Sequence, residues 1–190
     1  VKVLLLSPYP ERLADILRDD DVVPLVSKIH WPNVDFVISY GHREIIREPY
    51  LSEYKGRIIN IHLSLLPWNR GADPNFWAWF DNTPHGVSIH HIDDGIDSGP
   101  IIFNGTVDMT LDPIGTLESS YGILQNHAVY LFGILWENFK YKGKLPRGRP
   151  NEGGTYHRSK DKEQWMARFP LGWKTPVADV MALGRKANGR

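Results

Sequence analysis

The sequence predicts an α/β protein with a mixed central sheet flanked by helices. Three observations carry that expectation. Short apolar runs, "KVLLLS" at residues 2–7 and "DFVIS" at 35–39, suit strands buried on both faces. Between Val87 and Met109 two strand-like runs flank a glycine-containing loop, as in a hairpin. After Thr116 the apolar residues recur at steps of three and four, which is helical periodicity.

Taken in order, Lys2–Ser7 is the first strand. Glu11–Arg18 is expected as a short helix, with Leu13, Ile16 and Leu17 on one side. Asp35–Ser39 is the second strand and Arg57–His62 the third. Val87–Ile92 alternates as a fourth, and Pro100–Met109 is a fifth. Asp112 before Pro113, or else Thr116, starts the long helix. Its apolar face is Leu117, Tyr121, Leu124, Ala128, Leu131, Leu135 and Phe139, and Gly143 ends it. Leu131, Phe132, Ile134, Leu135 and Trp136 do not fit one helix face, which raises a homodimer interface as one use for them. Residues 146–154 read as a Pro-, Gly- and Arg-rich loop, and "KDKEQWMARF" as a last short helix.

Lys plus Arg balances Asp plus Glu at 22 each, so no general electrostatic pull draws the chain to nucleic acid or to anionic membrane. Cysteine is absent, which excludes disulfides and thiolate chemistry and gives secretion no support. The start, "VKVLLLSPYP", is too short an apolar run for a membrane span or signal peptide. The expectation is a soluble, cytoplasmic protein. Seven Trp, eight Tyr and seven Phe supply enough rings for a planar ligand's pocket as well as for the core. No G-x-G-x-x-G follows the first strand, so a dinucleotide cofactor is not expected. His85, His90 and His91 lack metal-ligand spacing, and no metal is expected.

The stretch "NIHLSLLPWNRG" at residues 60–71 carries the chemistry. Period two puts Asn60 and His62 on one face of the third strand, near its carboxyl end, where ligands bind in open α/β sheets. Asp97 sits in "HHIDDGIDSGPII", at the tip of a loop with Gly95 and Gly99. A neutral donor, a titratable ring and a carboxylate suit attack on a carbonyl, where an oxyanion develops and a proton moves. By their surroundings in sequence alone, Asn60 and His62 also read as structural residues and Asp97 as a turn residue.

"NIHLSLLP" resembles the Asn-x-His-x-Ser-Leu-Leu-Pro signature of the folate-dependent formyltransferases, and "GVSIHHIDDGIDSGPII" resembles their second signature. The resemblance spans roughly residues 35–140. It implies a formyltransferase-like, Rossmann-like fold, in one domain with a truncated amino-terminal part. Residues 1–143 are then the catalytic domain and 144–190 a carboxyl-terminal extension packed on it. It implies 10-formyltetrahydrofolate as formyl donor, and the family's catalytic Asn, His and Asp fall on Asn60, His62 and Asp97. The pterin is expected between the 40–46 and 92–97 loops, at Tyr40, Glu44, Ile45, Ile46, His90, Ile92 and Asp93.

"WNRGADPNFWAW" and "TYHRSKDKE" resemble the short branch that acts on nucleotide-linked amino sugars, in surface polysaccharide synthesis. The acceptor is then a small-molecule amine, an amino-deoxysugar on a nucleotide. Its expected contacts are Trp68, Arg70, Asp73, Asn75 and Trp77, in the loop after the signature, with Tyr156, His157 and Lys160. Glycinamide ribonucleotide as acceptor, or a hydrolase that releases formate from 10-formyltetrahydrofolate, are the alternatives around the same three residues.

Overall fold

The computed structural model describes residues 1–23, 31–109 and 115–189. In chain order its elements are β1 (Lys2–Leu6), β2 (Asp21–Val23), β3 (Phe36–Tyr40), α1 (Tyr50–Glu53), β4 (Ile58–His62), β5 (Arg70–Gly71), α2 (Pro74–Phe80), β6 (Gly86–His91), β7 (Ile101–Thr106), α3 (Leu117–Lys142), β8 (Tyr156–His157), α4 (Ser159–Met166) and α5 (Val177–Ala187). The described chain divides into two compact units. One holds Val1–His62, Ile89–Phe103 and Val129–Asn151; the other holds Leu63–Ser88, Asn104–Ala128 and Glu152–Arg190.

The first unit is built on a sheet of order β2-β1-β3-β4-β6-β7, to which β6 and β7 contribute their residues 89–91 and 101–103. β1 pairs in parallel with β2 and β3, and β3 in parallel with β4. Backbone bonds from Val107 N to His85 O and from His91 N to Pro100 O keep a nearly constant residue sum, so β6 and β7 form an antiparallel hairpin. The sheet is therefore mixed, as expected. Every residue of β3 is buried, which explains why it is apolar except for Ser39. One face packs Leu4, Leu6, Val37 and Ile58 against Tyr54, with Trp31, Tyr50, Ile46 and Ile92 around them. On β3 the alternate residue, Phe36, meets Trp136 and Phe139 of α3, with ring centroids 5.3 and 5.1 Å apart. Helical structure thus lies on both faces of this sheet.

The second unit has its own core of Phe76, Trp77, Phe80, Leu117, Phe169 and Val180, with Trp79, Trp165 and Leu183 packed around it. Its two-stranded sheet pairs β5 with β8 in parallel. Gly184 lets α5 approach α2, because a Cβ there would lie 1.9 Å from Phe80 O.

Several elements differ from the sequence expectations. Glu11–Arg18 is not a continuous helix. A short 3-10 turn at Pro10–Arg12 is followed by turns, with bonds that mix i−3 and i−4 spacing. These turns suffice to bury Leu13 and Leu17. The residues 73–77, read as loop, enter α2, with Asp73 as N-cap and Pro74 at the first helical position. α5 lies in a stretch for which the sequence predicts no element. Asp112 lies outside the described residues; the alternative start, Thr116, is the N-cap of α3. Its Oγ1 accepts from Ser119 N–H at 3.1 Å, and its own N–H donates to Ser119 Oγ at 3.2 Å, a reciprocal cap. Of the five residues that did not fit one helix face, Leu131, Phe132, Leu135 and Trp136 are buried within the chain, and Ile134 is exposed. The apolar excess that suggested a homodimer is mostly spent internally.

Candidate active site

β4 begins in the core and ends at a cluster of polar groups. Ile58, Asn60 and His62 share one face by alternation: Ile58 joins the apolar cluster, while Asn60 and His62 lie toward the carboxyl end of the strand. Parallel pairing sets Ser39 of β3 opposite Asn60, on the same side of the sheet. Ser39 Oγ–H donates to Asn60 Oδ1 at 2.9 Å. The Asn60 amino group consequently points away from Ser39. It donates to Asp97 Oδ1 at 3.1 Å and lies 3.3 Å from His90 Nε2.

Asp97 faces both imidazoles. Its Oδ2 is 3.5 Å from His62 Nδ1, and its Oδ1 is 3.3 Å from His90 Nε2. The two rings meet edge to face at 6.4 Å between centroids. His62 and His90 are buried, and the Asp97 side chain is 13% exposed, so the carboxylate acts through little water. His90 Nδ1 lies 2.7 Å from the carbonyl of His91. A carbonyl only accepts, so Nδ1 carries a proton; Nε2 lies between the Asn60 amino group and Asp97 Oδ1, accepting from the first when the ring is neutral and donating to the second when it is protonated.

The loop that carries Asp97 is tightly organised. Asp93 Oδ1 accepts from Gly95 N–H at 3.2 Å and from Ser98 Oγ–H at 2.7 Å. Asp97 itself has φ +49°, a left-handed conformation that Asp tolerates better than most residues. Gly99 permits the closing turn, since a Cβ would fall 1.9 Å from His91 O.

The structure therefore brings Asn60, His62 and Asp97 together, and adds His90, which the sequence had assigned to the cofactor side. Among the other residues expected at the pterin, Tyr40 is buried in a tilted contact with Tyr9, at 6.0 Å. Ile46 and Ile92 pack on the same apolar cluster, Ile45 is more than half exposed, and Glu44 is exposed. Asp93 is the brace of its own loop rather than an open group.

The residues expected at the acceptor lie in the second unit. Arg70 Nη2 donates to Gly153 O at 2.7 Å, and Asp73 pairs with Lys162 Nζ at 2.9 Å. Asn75 is buried, with its Nδ2 donating to Leu117 O and its Oδ1 accepting from Ser120 Oγ. Trp77 is likewise buried, with His157 stacked on it at 3.9 Å and nearly parallel, and His157 Nε2 is 2.9 Å from Asp81 Oδ2. Both side chains are buried, Asn75 in hydrogen bonds and Trp77 in the apolar cluster of this unit. Trp68, Tyr156 and Lys160 are exposed.

Two site residues escaped the sequence. Ser39 is visible only through strand register. Asn151 donates from Nδ2 to Asp97 O at 2.9 Å and to Gly99 O at 3.1 Å, across more than 50 residues, and no local pattern signals it. No group of three His, Cys, Asp or Glu suited to a metal occurs among the described residues, and none of their helices is long and apolar enough to cross a membrane.

Against known proteins, a family model described as formyl transferase matches residues 17–126. Phosphoribosylglycinamide formyltransferase of Escherichia coli is 32% identical over 118 residues, which cover 59% of this chain and 53% of that protein. Methionyl-tRNA formyltransferase of Finegoldia magna is 32% identical over 87 residues, covering 45% of this chain and 27% of the relative. The chain thus spans about half or less of these two curated relatives. Among solved structures, the formyltransferase PseJ from Anoxybacillus kamchatkensis is 38% identical with TM-score 0.87, over 97% of this chain and 100% of that one. That crystal structure is a complex with UDP-4,6-dideoxy-4-formamido-L-AltNAc and tetrahydrofolate.

Proposed function

The chain belongs to the formyl transferase family, and from that premise we propose that it transfers a formyl group from 10-formyltetrahydrofolate to the amine of a nucleotide-linked amino-deoxysugar. The observation that carries the reading is the meeting of Asn60, His62 and Asp97 at the carboxyl end of β4. The likeness to PseJ over nearly the whole of both chains supports the acceptor class, and favours a UDP-linked 4-amino sugar.

The donor set suits this chemistry. A neutral amide, an imidazole and a carboxylate are what acyl transfer to an amine requires. Ile46 and Ile92, packed on one cluster, supply an apolar wall of the kind a pterin needs. When bound, 10-formyltetrahydrofolate would supply the electrophilic formyl carbon: the acceptor nitrogen would bond to it as the bond to the folate nitrogen breaks, and the proton lost by the amine would end on that folate nitrogen.

The chain's own residues then divide the work. Ser39 holds the oxygen end of the Asn60 amide, so the amino end is the one offered as an oxyanion donor. His62 is the group that holds or moves a proton. Asp97, 3.5 Å away, orients that ring and balances its charge. His90 accepts from the Asn60 amino group while neutral, and so helps to fix it.

The test is tetrahydrofolate release by the purified protein, with 10-formyltetrahydrofolate and a panel of UDP-linked amino sugars. Release that depends on a 4-amino sugar is expected. Equal release without acceptor would assign a formate-releasing hydrolase, and release only with glycinamide ribonucleotide would assign that acceptor instead.

A further inference from the structure

Asp97 is held from behind by a residue of the segment that follows the long helix. Gly148, Arg149 and Asn151 lie in one short run that bridges to the start of β7. Arg149 and Ile101 exchange both backbone bonds, Arg149 N to Ile101 O at 2.8 Å and Ile101 N to Arg149 O at 2.9 Å. Gly148 has φ +83°, and a Cβ there would press to 2.9 Å from Pro100 Cβ, so a side chain would push this run off the strand. Two residues past the bridge, Asn151 turns into the loop.

Its amino group carries two hydrogens, and each goes to a different carbonyl of the turn, those of Asp97 and Gly99. The reverse orientation would set oxygen against two oxygens, so the amide has one stable direction. The side chain is buried, which keeps water from competing for either carbonyl. Asp97 needs such support because its backbone is left-handed at φ +49°. Releasing it would let the carboxylate swing away from His62, His90 and the Asn60 amino group, all of which it meets within 3.5 Å.

We propose that Asn151 is a positioning residue for Asp97: its double bond to the two turn carbonyls holds the carboxylate in register with His62 and Asn60. The proposal rests on the formyl-transfer reading above, in which that register is productive. It predicts a loss of turnover that passes through Asp97 alone.

The experiment is a double-mutant cycle with an independent structural readout. Asn151→Leu keeps the side chain's size and removes both donors. Turnover should fall on the order of tenfold to a hundredfold, with the KM for either substrate changed much less, as for a misplaced catalytic group. In the Asp97→Asn background, the same leucine should cost almost nothing further, because there is no catalytic carboxylate left to misplace. Hydrogen–deuterium exchange should quicken at residues 94–99 in Asn151→Leu and stay unchanged in β1 and β3. Asn151→Gln should restore part of the turnover, since it keeps the amino group. Should Asn151→Leu fail to fold, Asn151→Ser removes the reach of the donors with less bulk, and the cycle is run with it.

An equal loss in both backgrounds, or full turnover in a folded Asn151→Leu, overturns the proposal. Unchanged exchange at residues 94–99 overturns it as well, and does so even if the wild-type protein shows no activity with any amino sugar. That last result would overturn the functional reading while leaving the exchange experiment to decide the bracing itself.

Discussion

The hydroxyl of Ser39 donates to Asn60 Oδ1 at 2.9 Å, and this decides which end of the Asn60 amide faces Asp97. Were the amide reversed, its oxygen would face the Asp97 carboxylate. Parallel register between β3 and β4 is what sets the two residues opposite each other. Ser39→Ala removes one of three restraints on the amide, the others being Asp97 and His90 on its amino end. Loss of a neutral hydrogen bond costs about 1 kcal/mol, so turnover should fall about fivefold, with folding preserved. Steady-state kinetics alongside thermal melting checks this, and an unchanged rate would leave Asp97 and His90 as sufficient restraint.

Asn60→Ala should be far more severe. Removing one oxyanion donor costs on the order of a hundredfold to a thousandfold in turnover. His62→Asn and Asp97→Asn should be comparably damaging, and folate affinity, measured by fluorescence titration, should fall much less in all three. Normal turnover per folded molecule in Asn60→Ala would remove Asn60 from the chemistry.

Acid should weaken the second unit through His85. Its ring lies against Trp79, at 4.1 Å, and burial pushes its pKa down from 6.5 to about 4. A base with a lowered folded pKa stays neutral in the fold while the unfolded chain takes up a proton. The stability is therefore intact above pH 6.5 and is lost as pH falls from there toward 4. The full loss is on the order of 3 kcal/mol. Melting temperatures from pH 7 to pH 4 should decline less steeply in His85→Phe, and parallel curves would acquit His85.

Trp136 has a polar duty beside its packing. Its Nε1–H donates at 2.8 Å to Asp20 Oδ2, whose side chain is 1% exposed, and Lys140 Nζ is 3.3 Å from the same oxygen. Burial alone would raise the Asp20 carboxyl, but the hydrogen bonds from Trp136 and Lys140 help to outweigh it, and the group sits below its ordinary value. Trp136→Phe keeps a ring against Phe36 and Phe132 but strips a bond from a buried carboxylate, at a cost of about 2 kcal/mol. For a chain of this length that is a drop of about 4–8 °C in Tm. Adding Asp20→Asn should recover part of it, since the group left short of a donor is then neutral.

Local pattern made much of this protein legible. Alternation put Asn60 and His62 on one strand face, and short, mostly apolar runs marked β1 and β3, because a strand's side chains depend only on its own period. The two signature stretches pointed to the three residues that meet, since each is contiguous in the chain. Only the tertiary structure decided the rest. α2 and the turns at residues 10–20 depend on what they pack against, which a propensity does not encode. The burial of Asn75 and Trp77 follows from the packing of the second unit and is not written in their place after the signature. Ser39, His90 and Asn151 join the site through register and loop closure, over separations of 21, 30 and 54 residues to Asn60, Asn60 and Asp97 respectively. A hydrogen bond is set by distances of about 3 Å in space and leaves no periodic trace along the chain.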